Sequence, residues 1–292
     1  MRMPNVGPGK QQAIAAPTVT LVTPSFNQVV YLRDTLRSVM AQREQIFEYF
    51  VCDGGSTDGS KELIERHAHA IDHFHSGPDG GQSAALQRAF AHASGDVFGW
   101  INSDDLLLPG AIAAVRQAFA ADPRLDVVMG WLAFVDAGTR VVRMHRNIRA
   151  MPWLMRLGVT YLNQPAMFFR RSAYEAVGGL DPSLSCMMDA DLWYRLVRAN
   201  VRFGELRQYL AAFRRHGDQK WMTLSKRYKD EGRLLAQRYP EFHSDKQTFI
   251  GETTYRVLQV ASLNHAGGYV ETLRHRGKHI DHVFPPTHRS GA

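Results

Sequence analysis

The chain has 292 residues, of which 45% are hydrophobic and 22% are charged, and this balance excludes a disordered or fibrous protein. Its two cysteines, Cys52 and Cys186, argue against a disulfide framework and favour a reducing compartment. The formal charge of +7 suits anionic lipid or nucleotide phosphates, whereas nucleic acid is not expected because no nucleic-acid-binding motif is present.

Membrane-spanning and secretory segments are not expected either. No stretch approaches the roughly 18 uninterrupted apolar residues of a membrane-spanning helix. Residues 1–17 lack the apolar centre of a signal peptide. We therefore expect a cytoplasmic protein.

The hydrophobic pattern of the first half predicts alternating strands and helices. Strands are predicted at residues 19–23, 47–52, 71–75 and 97–101, and helices at 31–41, 61–69, 82–93 and 110–121. Because strands that alternate with helices usually pair in parallel, we expect an α/β fold with a mostly parallel central sheet flanked by helices.

The pattern changes after Pro123. Two strand-like runs, 127–134 and 140–144, are separated by a short polar turn and predict antiparallel pairing. Further elements are predicted as a strand at 206–213, a helix that opens at 189–193, and helices at 228–238 and 253–263. The predicted domains are a flexible segment 1–17, a catalytic domain 18–225 with a nucleotide-binding half 18–125 and an acceptor half 126–225, and a helical C-terminal extension 226–292 with a basic tail.

Two adjacent carboxylates, Asp104 and Asp105, follow the apolar run that ends at Ile101. Two like charges at a strand end raise the free energy unless a cation or hydrogen-bond donors offset them. Mg²⁺ and Mn²⁺ bind such oxygens together with substrate phosphates. The pair therefore indicates a divalent-metal site, and the alternative is a solvated turn that caps the next helix.

A second carboxylate-rich turn, Asp53-Gly54-Gly55-Ser56-Thr57-Asp58, also follows an apolar strand directly. Glycines let the backbone approach a ligand closely, and the serine or the second aspartate can cap the following helix. Two such turns in one α/β chain predict a shared crevice. Without a ligand, the same residues make an ordinary strand-to-helix connection.

A third acidic segment, Asp189-Ala190-Asp191, opens a predicted helix whose apolar residues share one face. A carboxylate at this position can satisfy free backbone N–H groups and interacts favourably with the helix dipole. Capping therefore explains an isolated Asp189 as well as catalysis does. Upstream, apolar residues from 151 to 169 surround the Asn163-Gln164-Pro165 turn, where core packing is favoured over an acceptor pocket.

These segments together resemble family 2 glycosyltransferases. The segments that carry the resemblance are Thr23-Pro24-Ser25-Phe26-Asn27, Asp53 to Asp58, Asn102 to Asp105, Asn163 to Arg171, Gly178 to Asp181 and Met188 to Trp193. Each is a weak signal alone, but their joint order is specific and extends over about residues 18–225. The resemblance implies a GT-A-type fold, a nucleotide-diphospho-sugar donor, a glycan or lipid-linked acceptor, and Mg²⁺ or Mn²⁺.

In these inverting enzymes a base removes the acceptor proton while a metal neutralises the departing diphosphate. The resemblance implies that Asp189 is the base, with Asp191 in reserve, and that Asp105 binds the metal. It implies that Asp104 faces the metal or the ribose and that Asp53 lies near the nucleobase or the ribose. The remaining contacts that it implies are Thr23, Pro24, Ser25 and Asn27 for the donor and Gln164 for the acceptor.

One departure from the family pattern concerns Gly54, because many relatives have a second acidic residue there that contacts the nucleobase. A glycine cannot make this contact through a side chain, so uridine, deoxythymidine and guanosine donors all remain open, with UDP-sugars the commonest in the family. Asp79 and Gln82 match a loop that approaches the donor in relatives. A plain turn and helix cap explains this loop equally well.

The segment after the last predicted strand contains His216, which can complete a metal shell, and Lys220 and Arg215, which can contact phosphate. Exposed loop residues are the alternative. Further on, the basic residues Arg274 to Lys278 form either a solvated tail or a peripheral membrane contact that reaches lipid-linked acceptors.

We therefore expect a metal-dependent inverting glycosyltransferase of surface polysaccharide or glycolipid biosynthesis, in the cytoplasm or at the inner face of the membrane. One alternative is a sugar-phosphate nucleotidylyltransferase, whose glycine-rich loop is missing after the first strand. The other is a non-catalytic nucleotide-sugar or glycan-binding assembly partner, against which the intact acidic positions argue.

Overall fold

A computed structural model of the chain describes residues 16–146, 154–155, 164–242, 253–254, 257 and 263–286. Within them the strands β1 to β9 are Val19–Ser25, Glu48–Asp53, His73–Ser76, Val97–Trp100, Leu106–Leu107, Val127–Asp136, Val141–His145, Met167–Arg170 and Phe203–Arg215. The helices α1 to α10 are Val29–Met40, Ser60–Glu65, Gln82–His92, Ala111–Ala121, Arg171–Ala176, Met188–Arg198, Lys220–Thr223, Ser225–Arg238, Leu263–His275 and Ile280–Val283.

The strands form one sheet in the order β3-β2-β1-β4-β8-β6-β9-β5, with β7 paired to β6. The first four strands are parallel and are joined by α1, α2 and α3, as the alternating pattern predicts. Among these elements, α2 differs most from its predicted range of 61–69. It ends at Glu65, and the chain continues into a short 3-10 turn at Ala68–Ala70.

The second half of the sheet is mixed. β8 is antiparallel to β4 and β6, β9 is parallel to β6, and β5 is antiparallel to β9. The predicted antiparallel pairing of β6 and β7 is confirmed, because their short connection permits no crossover. Since β9 runs in the same direction as β1, β2 and β4, the carboxyl ends of these strands meet at one edge of the sheet.

Both faces of the central strands are buried, so neighbouring residues of one strand enter different cores. On one face, Phe50 and Trp100 pack with residues of α3 and α6, and on the other Leu21 and Val51 pack with residues of α1 and α4. This arrangement explains the nearly continuous apolar runs of β1, β2 and β4. Cys52 is buried in the first cluster, and both cysteines are free.

The C-terminal helices also pack on the sheet domain. Leu235 of α8 and the following Tyr239 and Phe242 belong to the same core cluster as α6. Helix α9 lies on β7, and most of the predicted helix 253–263 lies outside the described residues. Among the helices that the structure describes, none has the length and apolar character needed to cross a membrane.

Candidate active site

A cavity of about 830 Å³ opens at the carboxyl ends of the parallel strands. Its volume is in the range that holds a small-molecule ligand or cofactor. The sequence-predicted residues that line it are Pro24, Ser25, Asp79, Gln82, Asp104, Gln164, Asp189 and Lys220. The fold thus brings residues separated by up to about two hundred positions to one edge of the sheet.

Three other predicted donor residues, Thr23, Asn27 and Asp53, support the cavity wall without lining it. Asn27 joins two loops, because its Oδ1 accepts from the Thr57 N–H at 2.9 Å. The carboxylate of Asp53 is fully buried and accepts from the Ser56 N–H at 3.1 Å and the Ser76 hydroxyl at 2.7 Å. The Thr23 hydroxyl accepts from that of Tyr49.

The structure gives a steric reason for the glycine at position 54. A Cβ atom added to Gly54 would lie 3.2 Å from Asp79 Oδ2 and 3.2 Å from the ring of Phe26. A carboxylate side chain at position 54 would therefore crowd the carboxylate of Asp79. Phe26, which is 60% exposed and lines the cavity, gave no signal in the sequence beyond its place in the first motif.

Asp105 lies behind the cavity wall and is fully buried. Its Oδ1 accepts from the backbone N–H of Arg214 at 3.0 Å, and its Oδ2 accepts from Asn102 Nδ2 at 3.4 Å. Burial, together with the neighbouring charge of Asp104, raises the pKa of Asp105 well above its ordinary value. Asp104, in contrast, lines the cavity.

Asp104 meets His216, whose side chain is 1% exposed and does not line the cavity, with 3.0 Å between Oδ2 and Nε2. The histidine ring lies against Tyr31, with 4.3 Å between ring centroids. Its Nδ1 accepts from the backbone N–H of Asp218 at 3.3 Å, so Nε2 carries the proton and donates it to Asp104. Arg214 fixes this arrangement, because its Nε donates to the carbonyl of Asp104 at 2.8 Å.

The pair formed by Asp104 and His216 suits a divalent metal. Carboxylate oxygen is a ligand of Mg²⁺ and Mn²⁺, neutral imidazole nitrogen is a common metal ligand, and the two atoms are close enough to reach one ion. Within the described residues no group of three or more histidine, cysteine, aspartate or glutamate side chains can hold a metal. Among the described residues this pair therefore supplies two candidate ligands, and binding through Nε2 would require the proton to move to Nδ1, at the expense of the Asp218 hydrogen bond.

A chain of polar side chains runs along the cavity wall. Lys220 Nζ donates to Gln82 Oε1 at 2.6 Å, and Gln82 Nε2 donates to Asn102 Oδ1 at 2.7 Å. Asn102 Nδ2 then donates to Gln164 Oε1 at 3.2 Å, and Gln164 Nε2 donates to the Trp100 carbonyl at 2.7 Å. Because the lysine only donates and the carbonyl only accepts, the two ends fix the orientation of all three amides.

Lys220 is the cation of this wall. Its side chain keeps exposed surface at the cavity mouth, yet desolvation lowers its pKa, because the surrounding protein atoms displace water from the ammonium group. Arg215 does not line the cavity, and its guanidinium lies 5.9 Å from the ring centre of Phe134. Of the two predicted phosphate contacts, only Lys220 faces the cavity.

The two aspartates of the third acidic segment have different surroundings. Asp189 lies in the first turn of α6, lines the cavity and accepts from the Ala190 N–H at 2.8 Å. Desolvation raises its pKa. Asp191 is fully buried and is paired with Arg195 at 2.6 Å and Arg238 at 2.9 Å, so it stabilises the packing of α6 and does not reach the cavity.

Glu231 of α8 holds the loop before α6. Its carboxylate accepts from the backbone N–H groups of Ser185, Cys186 and Met187 at 2.9, 2.8 and 2.9 Å. Although burial acts to raise it, these hydrogen bonds and the one from Arg227 lower the pKa of Glu231. The sequence carried no signal for this contact, because the partners are backbone groups more than forty positions away.

The chain matches a family model described as glycosyl transferase family 2 over residues 20–178. It is 30% identical over 186 residues to an uncharacterized glycosyltransferase of Mycobacterium tuberculosis, covering 62% of this chain and 69% of the relative. It is 24% identical over 278 residues to an uncharacterized glycosyltransferase of Rickettsia typhi, covering 90% of this chain and 85% of the relative.

Two solved structures share the fold. S. aureus TarS 1-349 in complex with UDP-GlcNAc matches with a TM-score of 0.59 and 16% identity, covering 88% of this chain and 79% of that chain. The mannosyltransferase PcManGT from Pyrobaculum calidifontis, in complex with GDP-Man and Mn²⁺, matches with a TM-score of 0.55 and 17% identity over the same shares. The expected GT-A-type fold is confirmed.

The family match and the relatives agree with the order of the motifs in the sequence and with the position of the cavity at the carboxyl edge of the sheet. They give no support to the alternative of a sugar-phosphate nucleotidylyltransferase or of a non-catalytic assembly partner. The chain belongs to glycosyl transferase family 2 and is a glycosyltransferase.

Proposed function

We propose that the protein is a metal-dependent inverting glycosyltransferase that moves a sugar from a nucleotide-diphospho-sugar to a hydroxyl group of a glycan or lipid-linked acceptor. The observation that carries the proposal is that one cavity is lined by both Asp189 and Asp104. A single displacement needs a base and a site for the leaving diphosphate in one enclosed space. The relatives bound to UDP-GlcNAc and to GDP-Man with Mn²⁺ support this class of donor.

The nucleotide lies, in this proposal, against the wall made by Phe26, Gly54 and Asp79. The exposed ring of Phe26 offers a stacking surface to a base, and the missing side chain at Gly54 lets Phe26 and Asp79 lie side by side in this wall. The carboxylate of Asp79, whose Oδ1 already accepts from the Gly81 N–H at 2.7 Å, is an acceptor for base or ribose donors. UDP-sugars are the first donors to test.

The metal, Mg²⁺ or Mn²⁺, is held by Asp104 and His216 in this proposal, and Asp105 positions the turn from behind. When bound, such an ion neutralises the negative charge that develops on the departing diphosphate. Lys220 adds a second positive charge at the same end of the cavity and holds Gln82 in place. The ammonium group attracts the donor and stabilises the leaving group alike.

Asp189 is the proposed base. Its carboxylate takes the proton of the acceptor hydroxyl as the acceptor oxygen bonds to the anomeric carbon and the bond to the diphosphate oxygen breaks, which inverts the anomeric configuration. A raised pKa makes the carboxylate a stronger base at neutral pH. Gln164, whose two amide atoms are fixed by Trp100 and Asn102, contributes a rigid polar wall on the acceptor side.

The acceptor belongs, in this proposal, to surface polysaccharide or glycolipid synthesis on the cytoplasmic side of a membrane.

The donor experiment is calorimetry of UDP-, dTDP- and GDP-sugars in Mn²⁺ and in EDTA. We expect one nucleotide to bind in Mn²⁺ and to lose more than tenfold in affinity in EDTA or in Asp104→Asn. Asp230→Asn, which removes an exposed carboxylate elsewhere, is the control. Equal affinities in Mn²⁺ and EDTA contradict the metal site, and retained anomeric configuration in the product contradicts single displacement.

A further inference from the structure

Helix α9, residues Leu263–His275, has one side fixed to the sheet domain. Glu271 pairs with Arg146 at 2.6 Å. Thr272 Oγ1 accepts from the backbone N–H of Met144 at 2.8 Å, and Gly268 lies close enough that an added Cβ would be 3.1 Å from the Met144 carbonyl. These contacts define the side of the helix that faces the protein.

The opposite side carries large apolar residues. Tyr269 is 64% exposed, Val270 52% and Leu273 64%. At about 100° per residue, these three positions fall within an arc of about 100° on the side away from Glu271. Three adjoining exposed apolar side chains on one helix face mark an interaction surface more strongly than scattered ones do.

Cations follow directly at the end of the same helix. Arg274, Arg276 and Lys278 are exposed, and among the described residues none of them pairs with a carboxylate. The acidic groups of this segment are neutralised by other parts of the chain, because Glu271 pairs with Arg146 and Asp281 pairs with Arg37 at 3.1 Å. The surface is therefore apolar with a strongly basic border.

We propose that α9 docks this enzyme on an anionic lipid bilayer. Tyr269, Val270 and Leu273 enter the boundary between headgroups and acyl chains, while the three cations at the helix end contact lipid phosphates. Apolar residues beside unpaired Lys and Arg are the pattern of a helix that lies in the membrane interface. This inference goes beyond the transferase chemistry and does not depend on it.

The test is cosedimentation of the full chain with vesicles of phosphatidylcholine alone or of an equal mixture of phosphatidylcholine and phosphatidylglycerol. We expect binding to the anionic vesicles only, weakening steeply as salt rises. One cation near an anionic surface contributes about fivefold to the partition coefficient, so the Arg274→Gln, Arg276→Gln, Lys278→Gln triple variant should lose on the order of 100-fold. The Tyr269→Ser, Leu273→Ser double variant should lose at least about tenfold.

The matched control removes three exposed cations elsewhere that form no ion pair with any described residue, in the Arg33→Gln, Arg66→Gln, Arg88→Gln variant. It has the same net charge as the first variant and should bind vesicles within about twofold of wild type. If the control loses as much vesicle binding as the α9 variant, the attraction depends only on net charge, and the proposal is overturned. Absence of binding to anionic vesicles at low salt overturns it too. Concentration-dependent dimerisation that Leu273→Ser abolishes, without vesicle binding, assigns the face to a second copy and also refutes it.

Discussion

Replacing Glu231 by glutamine tests whether α8 holds the loop next to the proposed base. The glutamate side chain is 8% exposed, and its oxygens accept three backbone N–H groups and Arg227. Glutamine keeps one oxygen and turns an amide N–H₂ towards the donors on the other, so two hydrogen bonds are lost. At about 1.5 kcal/mol each, the lower value for a bond to a charged group, the free energy of unfolding should fall by about 3 kcal/mol.

Urea denaturation at neutral pH measures this change, with Glu241→Gln as the control. Glu241 makes an exposed ion pair with Arg198, which is worth less than about 1 kcal/mol. A Glu231→Gln protein within about 0.5 kcal/mol of the control refutes the reasoning. Turnover should fall together with stability, because residues 185–187 form part of the cavity wall that continues into Asp189.

The effect of Glu231→Gln on the free energy of unfolding should also depend on pH. The pKa of Glu231 in the folded state lies below its ordinary value of 4.5, so its carboxylate stabilises the fold above that pH. The stabilisation is lost as pH falls through the folded-state pKa. The difference in unfolding free energy between wild type and Glu231→Gln should therefore be constant near neutral pH and shrink below about pH 4.5. A difference that persists unchanged at low pH contradicts this account.

Three further predictions concern the base, the metal and the packing. Asp189→Asn should lower turnover by roughly 10² to 10⁴ and leave donor affinity unchanged in calorimetry. Near-normal turnover of Asp189→Asn would make Asp189 a helix cap. Wild-type turnover should fall as pH decreases through the raised pKa of Asp189. His216→Ala should weaken Mn²⁺-dependent donor binding by more than about tenfold, and an unchanged Mn²⁺ titration removes the histidine from the metal site. Gly99→Ala should cost about 1 to 3 kcal/mol in denaturation, because the new Cβ would lie 2.5 Å from the ring of Phe168, whereas Gly217→Ala, with open space around it, should cost almost nothing. Equal stabilities of the two glycine variants contradict the packing.

Local sequence patterns were sufficient for the first half of the fold. Strands β1, β2 and β4 and helices α1 to α4 appear where the apolar periods predict them, because each buries a face whose period is written in consecutive residues, and the edge strand β3 appears near its predicted position although its side chains are mostly exposed. The strand order of the mixed second half was harder to predict from the sequence. Its strands pair with partners far away along the chain, and local patterns do not identify the partner of a strand.

The motifs also identified the family, and the structure brings three of the residues that they marked, Asp104, Gln164 and Asp189, to one cavity. They assigned the metal to Asp105 and gave Asp104 either the metal or the ribose, whereas the structure buries Asp105 and leaves Asp104 at the cavity. Both lie in a turn closed by a hydrogen bond from the Asp105 N–H to the Asn102 carbonyl at 3.1 Å, and one carboxylate lines the cavity while the other is buried against the backbone of Arg214.

Only the tertiary structure shows which groups the carboxylates around α6 contact. The loop before α6 is held by Glu231, and Asp191 is enclosed by Arg195, Arg238 and Tyr239, residues that belong to α6 and to the segment around the end of α8. A hydrogen bond to a backbone N–H leaves no residue-type signature at the donor, and an ion pair across more than forty positions has no period along the chain. The apolar pattern therefore determines which elements form, whereas burial and long-range contacts determine which carboxylate is free to act.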